Sequence, residues 1–134
     1  MNTNNQDRYY QKLKEIIKNA YTPYSKFRVA CLLWTDKGWF SGVNVENASY
    51  PVTLCAERNA IGAMITNGGK EILKAWILTD SIKDNGTACG VCRQAISEFA
   101  KASTEVVTYS SEGKKSILKV SDLLPYGFDQ AAMK

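Results

Sequence analysis

Histidine is absent from the 134 residues. Its absence excludes a catalytic imidazole, a histidine metal ligand and every Ser-His or Cys-His arrangement. Any bound metal must be held by cysteine and carboxylate. No apolar stretch is long enough to cross a bilayer. The N-terminal run from Met1 to Arg8 lacks the apolar core of a signal peptide. A cytoplasmic location with no membrane partner is therefore expected, where thiols stay reduced and clustered cysteines bind metal more often than they pair. A basic stripe is also missing. Lysine and arginine number 17 against 13 acidic residues, a net charge of +4, yet Lys114-Lys115 is the one adjacent basic pair. This dispersal argues against a nucleic-acid partner. Repeats, low-complexity tracts and linkers are lacking too, so a single domain over residues 1–134 is expected. Hydrophobic residues make up 45% and charged residues 22%, which excludes a disordered or fibrous chain. A chain of this length buries enough surface to need no disulfide.

The hydrophobic pattern alternates between two periods. Tyr9, Leu13, Ile16, Ile17 and Ala20 recur at helical spacing and predict a helix over 5–20. Phe27 to Trp34 and Trp39 to Val45 flank Asp36-Lys37-Gly38 and read as a β-hairpin. Asn47 to Thr53 reads as a loop, and Cys55 to Met64 as a second helix closed by Asn67-Gly68-Gly69. Leu73 to Thr79 reads as a strand, Asp84-Asn85-Gly86 as a loop and Gly90 to Phe99 as a third helix. Glu105 to Tyr109 and Lys115 to Val120 read as two strands, followed by a short helix ending at Pro125. Strands alternating with helices imply an α/β sandwich with one mixed sheet covered by helices. Trp34, Trp39 and Trp76 fall in strands and read as packing aromatics.

Three of the four cysteines fall in two short motifs, Cys55-Ala56-Glu57 and Cys89-Gly90-Val91-Cys92, each at the start of a predicted helix. Helix N-termini carry partial positive charge and free N–H groups, which favour the thiolate that binds metal. A C-x-x-C turn can put two sulfurs on one metal, and Cys55 can supply a third. Three protein ligands leave one tetrahedral position for water, the pattern of a catalytic zinc. Glu57, two residues past a ligand, can shuttle protons to and from that water. A redox pair or a structural zinc half-site are the alternatives for C-x-x-C alone. Cys31 lies inside an apolar strand and reads as a small core residue.

Four segments in order carry a resemblance: Tyr21-Thr-Pro-Tyr-Ser-Lys-Phe27, Gly42-Val-Asn-Val-Glu-Asn-Ala-Ser-Tyr-Pro51, Cys55-Ala-Glu-Arg58 and Cys89-Gly-Val-Cys-Arg-Gln94. Together they resemble the small homotetrameric, zinc-dependent cytidine deaminases, from about Tyr21 to Leu123-Leu124-Pro125. The resemblance implies a three-layer α/β/α sandwich with a mixed sheet of about five strands. It implies hydrolytic deamination of cytidine and deoxycytidine by a zinc-hydroxide mechanism, in pyrimidine salvage, with no organic cofactor. Cys55, Cys89 and Cys92 map to the zinc ligands, and Glu57 to the proton shuttle. Asn44 and Glu46 map to the pair that contacts the ribose, with Val45 between them. Both would point to one face of a strand end. Phe27 maps to the phenylalanine that packs on the base, and the Ala56 N–H to the donor that meets the base O2. Arg58 maps to the arginine that hydrogen-bonds the thiolates. Phe128 is the candidate for an aromatic that a neighbouring subunit lays over the base, so the implied homotetramer shares its active sites.

Two departures stand out. Ala88 replaces the proline usual before the C-x-x-C, which should soften that loop. Arg28 replaces the proline usual after the phenylalanine and should put a charge beside the base pocket. Other readings of the same motifs are a deaminase of this fold acting on a nucleoside antibiotic or a polynucleotide, and a non-catalytic zinc-stabilised interaction module.

Overall fold

In a computed structural model, which describes residues 7–82 and 86–133, the apolar runs become a sheet of order β2-β1-β3-β4-β5. The strands are β1 (Val29–Thr35), β2 (Gly38–Val43), β3 (Ile72–Thr79), β4 (Glu105–Tyr109) and β5 (Lys115–Lys119). Pairing is antiparallel except between β3 and β4, so the sheet is mixed. The parallel pair needs a crossover, and α3 (Gly90–Glu98) supplies it. The remaining helices are α1 (Arg8–Ile16), α2 (Ala56–Thr66) and the short α4 (Val120–Leu123). Among the described residues, no helix is long and apolar enough to cross a membrane. The expected loop at Asp84-Asn85 and the first residues of the expected helix lie outside the described residues.

Strand periodicity explains the three layers. Cys31, Leu33, Ala75, Ile77 and Val106 face α2, α3 and α4. Their neighbours Ala30, Leu32, Trp76, Leu78 and Val107 face α1. Because β1 and β3 are covered on both sides, they read as continuous apolar runs rather than alternating ones. The β1–β2 hairpin closes at Gly38, whose φ of +102° only glycine adopts without strain. Trp34 and Trp39 pair across this hairpin with rings 4.7 Å apart, both partly exposed. Trp76 is buried, stacked on Tyr9 at 4.5 Å.

The buried face of α1 is shifted from the expected one: Tyr10, Leu13 and Ile17 are buried, while Tyr9 and Ile16 flank them. Tyr10 wins that place because its ring packs on Tyr109 at 5.3 Å and its hydroxyl donates to the Ser111 carbonyl at 3.3 Å.

Asp7 fixes this helix to the sheet. Its carboxylate caps α1 by accepting from the backbone N–H of Tyr9 and Tyr10. It also accepts from the Tyr109 hydroxyl at 2.7 Å and from Lys115 Nζ at 3.3 Å. Partial burial raises the carboxyl's pKa, but the bonds from Tyr109, Tyr10, Tyr9 and Lys115 outweigh it and hold the group below the usual aspartate value. Asp7→Ala should cost about 2–4 kcal/mol in denaturant unfolding, a lost cap plus a buried hydroxyl without a partner. Adding Tyr109→Phe should recover the second share. Because the folded pKa is depressed, Asp7's contribution is present above the unfolded value of 3.8 and is lost as pH falls through the folded one. An acid titration of stability should therefore be shallower at low pH in the Asp7→Ala variant.

Candidate active site

Cys55 and Cys89 occupy the N-cap positions of α2 and α3, each with extended backbone and no oxygen-bearing side chain to occupy the free N–H groups. Two long-range contacts place α2. Gly42 on β2 lies so close that a Cβ there would sit 2.5 Å from the Ala56 carbonyl oxygen and 2.6 Å from the Ala60 nitrogen. Asn59 Nδ2 donates to the Val43 carbonyl at 2.7 Å. Leading into the helix, Leu54 and Val45 exchange two backbone bonds of 2.9 Å, so Cys55 follows directly from a residue bridged to the segment just beyond β2. The start of α3 is held by Arg93, a residue whose part is not legible in the sequence. Its Nε donates to the Ala88 carbonyl at 2.8 Å and its Nη1 to the Leu123 carbonyl at 3.0 Å. Ala88 itself is buried, and its carbonyl is held by this clamp.

The sulfurs of Cys55, Cys89 and Cys92 lie within 4.8 Å of one another, the one metal-ligating group of this size among the described residues. Tetrahedral zinc with sulfur at about 2.3 Å spaces its ligands about 3.8 Å apart, so a small contraction closes the three around one ion. The donor set suits zinc, and three sulfurs leave one position open. Cys31 is fully buried and stands outside the group. Burial, then the neighbouring Glu57 carboxylate, push its thiol pKa well up.

Charge around the thiols is finely divided. Burial raises the Cys89 pKa, but the backbone N–H groups of Cys92 and Val91 and the Cys92 thiol more than reverse it, favouring thiolate. Burial, then the Glu57 carboxylate and Cys55, push Cys92 up. Arg58 Nη2 lies 3.5 Å from Cys55 Sγ and 3.5 Å from the Thr53 carbonyl. The Cys55 sulfur, with a smaller part from Cys92, raises the Arg58 pKa against the effect of burial. Glu57, 4% exposed, is raised by burial, against the opposing pull of its own N–H, Cys92 and Arg58.

A cavity of about 300 Å³ opens onto this centre, its lining including Phe27, Asn44, Cys55, Ala56, Glu57 and Cys89 together with Thr53, Thr79 and Thr87. Asn44 does not have its whole amide free: Oδ1 accepts from Val29 N and Nδ2 donates to the Phe27 carbonyl, both at 2.9 Å. Each atom keeps one further hydrogen-bonding position. Glu46 is not on the same wall. It lines a neighbouring hollow with Tyr24 and Tyr50, where it accepts from the backbone of Tyr24 and Ser25 and from the Ser25 hydroxyl. Thr53 borders both spaces. The two-residue alternation that would align Asn44 with Glu46 holds within a strand, and β2 ends at Val43. Val45 is spent on its backbone pairing, its side chain partly exposed. Phe128, 60% exposed, lies in a separate hollow by Leu124, its carbonyl accepting from Gln94 Nε2.

Arg28 corrects its expected placement. Its guanidinium turns away from the cavity and grips Asp80, with Nε to Oδ2 at 3.0 Å and Nη2 to Oδ1 at 3.1 Å. The charge therefore falls outside the cavity wall: Arg28 and Asp80 line a separate hollow with Tyr10 and Lys14.

Residues 3–109 match the model of the cytidine and deoxycytidylate deaminase zinc-binding region. A cytidine deaminase of Mycoplasma pneumoniae is 42% identical over 120 residues, 89% of this chain and 90% of the relative. One from Mycoplasma genitalium is 37% identical over 121 residues, 90% and 93% of the two chains. The crystal structure of cytidine deaminase from Burkholderia pseudomallei superposes with a TM-score of 0.82 at 35% identity, covering 88% of this chain and 94% of that one.

One zinc per chain is expected, with three sulfurs and one light atom in X-ray absorption. Four sulfurs would instead mean a closed site with Cys31 recruited. Arg58→Ala should leave the three ligands in place yet weaken zinc retention about ten- to a hundredfold in a chelator competition. Lys101→Ala, away from the site, should not.

Proposed function

Since the chain belongs to the family of zinc-binding cytidine and deoxycytidylate deaminases, we propose that it hydrolyses cytidine and deoxycytidine to uridine and deoxyuridine with release of ammonia. The observation that carries this reading is Glu57: a nearly buried carboxylate on the wall of the cavity that Cys55 and Cys89 also line. A closed structural zinc site has no use for it. Bound zinc supplies Lewis acidity to the attacking water.

Glu57 takes the proton of that water and passes it to N3 of the pyrimidine as the oxygen attacks C4. It then moves protons to the exocyclic amine, which leaves as ammonia. Burial supports the role, because it raises the carboxyl above its ordinary pKa, which suits a group that must both accept a proton and give it up again. Cys55, Cys89 and Cys92 hold the metal, and Arg58 offsets their charge. Phe27 packs on the base and the Ala56 N–H meets its O2. Asn44, Val45 and Glu46 form the ribose side, with Glu46 reached across Thr53.

Phe128 serves a neighbouring copy in a homotetramer. Its exposure, and that of Tyr126 beside it, supports this assignment. One domain per chain, a cytoplasmic location and a place in pyrimidine salvage complete the reading. The substrate is a free nucleoside rather than a nucleic acid, which the dispersed basic residues support.

The test is loss of the cytidine absorbance band on adding purified protein, compared across cytidine, deoxycytidine, cytosine and a short cytosine-containing oligonucleotide. Turnover of the two nucleosides alone is expected. Glu57→Gln, nearly isosteric but unable to carry the proton, should keep zinc and fold and lose nearly all turnover. Activity within tenfold of the parent protein would remove the proton-shuttle role.

A further inference from the structure

The three residues entering β1 have every backbone polar group bonded. Phe27 N donates to Ser25 Oγ at 3.0 Å and its carbonyl accepts from Asn44 Nδ2 at 2.9 Å. Val29 N donates to Asn44 Oδ1 at 2.9 Å and its carbonyl accepts from Asn44 N at 3.2 Å. Between them, Arg28 N donates to Asp80 Oδ2 at 2.8 Å and its carbonyl accepts from Asp80 N at 3.1 Å. Arg28 and Asp80 are thus joined four ways, twice through the main chain of residue 28 and twice through its guanidinium fork.

Their position gives this joint a purpose. The β1–β3 ladder runs out at the pair Val29 and Thr79. Arg28 and Asp80 sit one step beyond, where strand ends otherwise separate most easily. Phe27 and Val29 on one side of the joint, and Thr79 and Ser81 on the other, all line the cavity of the candidate active site. The charged pair itself faces away, onto a second hollow of about 240 Å³ beneath α1 with Tyr10 and Lys14. The joint therefore lies outside the cavity, between two of its walls.

We infer that Arg28 and Asp80 are positioning residues that hold Phe27 and Thr79 at the spacing a nucleoside needs. This rests on the proposed deaminase activity. The side chains of the pair are 43% and 24% exposed, and an exposed pair contributes little to global stability. Its removal should therefore appear in substrate binding well before it appears in unfolding.

Three variants, Asp80→Ala, Arg28→Ala and Arg28→Lys, test this by steady-state kinetics with cytidine, zinc content, thermal unfolding and amide hydrogen exchange. Asp80→Ala should raise KM about tenfold with kcat within about threefold and zinc content unchanged. It should also speed exchange of the Arg28 amide at least about tenfold, since that N–H loses its acceptor. Arg28→Ala keeps Asp80 on the main chain and should raise KM about three- to fivefold. Arg28→Lys, with charge but no fork, should fall between Arg28→Ala and the parent. Should Asp80→Ala fail to fold, the two Arg28 variants decide by the same KM order. An active parent protein whose variants show unchanged KM, or a loss in kcat alone, overturns the inference. If the parent does not turn over cytidine, the deaminase reading fails separately. The joint is then judged by exchange, and an Arg28 amide as protected in Asp80→Ala as in the parent overturns it.

Discussion

Three thiols within 4.8 Å of one another are a concentration of incipient negative charge, and the surrounding structure is arranged to tolerate it. At an effective dielectric of about 20, two thiolates at that separation repel by about 3.5 kcal/mol. Glu57 adds a fourth acidic group beside them. Zinc relieves the repulsion, but the protein supplies the first compensation itself. Two helix N-termini point at the sulfurs, and Arg58 Nη2 lies against Cys55. Burial does the rest by keeping Glu57 and Cys92 disposed to hold their protons. The site is thus a balance between charges that must exist for metal binding and surroundings that suppress them.

That balance depends on two helix starts arriving at one place. Gly42 brings β2 against the first turns of α2, and buried Ala56 and Ala60 keep that contact close. Arg93 ties the residue before Cys89 to the end of α4, so the start of α3 is fixed against a helix on the same side of the sheet. Main-chain contact at Gly42 leaves no room for adjustment, whereas an arginine clamp is extended and adaptable. The two helices are therefore located by different means, one by steric fit and one by directed hydrogen bonds.

The cavity wall shows the same economy. Asn44 holds Phe27 and Val29 in place with the amide that faces the cavity, and Glu46 holds the Tyr24–Ser25 turn with both carboxylate oxygens. The polar side chains of this region are already engaged in fixing the backbone around them. A ligand would meet a surface whose polar atoms are preoriented, with little ordering left to accomplish.

Much of this was legible in the residues alone. Helix and strand periods, the cysteines at helix starts and the glutamate two positions on are patterns among near neighbours, set by backbone geometry and the free N–H groups of a helix's first turn. They yielded the order of elements, the mixed sheet and the set of thiols. Only the tertiary structure turned Arg28 toward Asp80, parted Glu46 from Asn44 and gave Arg93 its clamp. Arg28 and Asp80 are 52 residues apart, and nothing local to either one names the other. Which side chains meet across such distances follows from which strands lie side by side and where each ladder ends, and that is settled when the whole core packs.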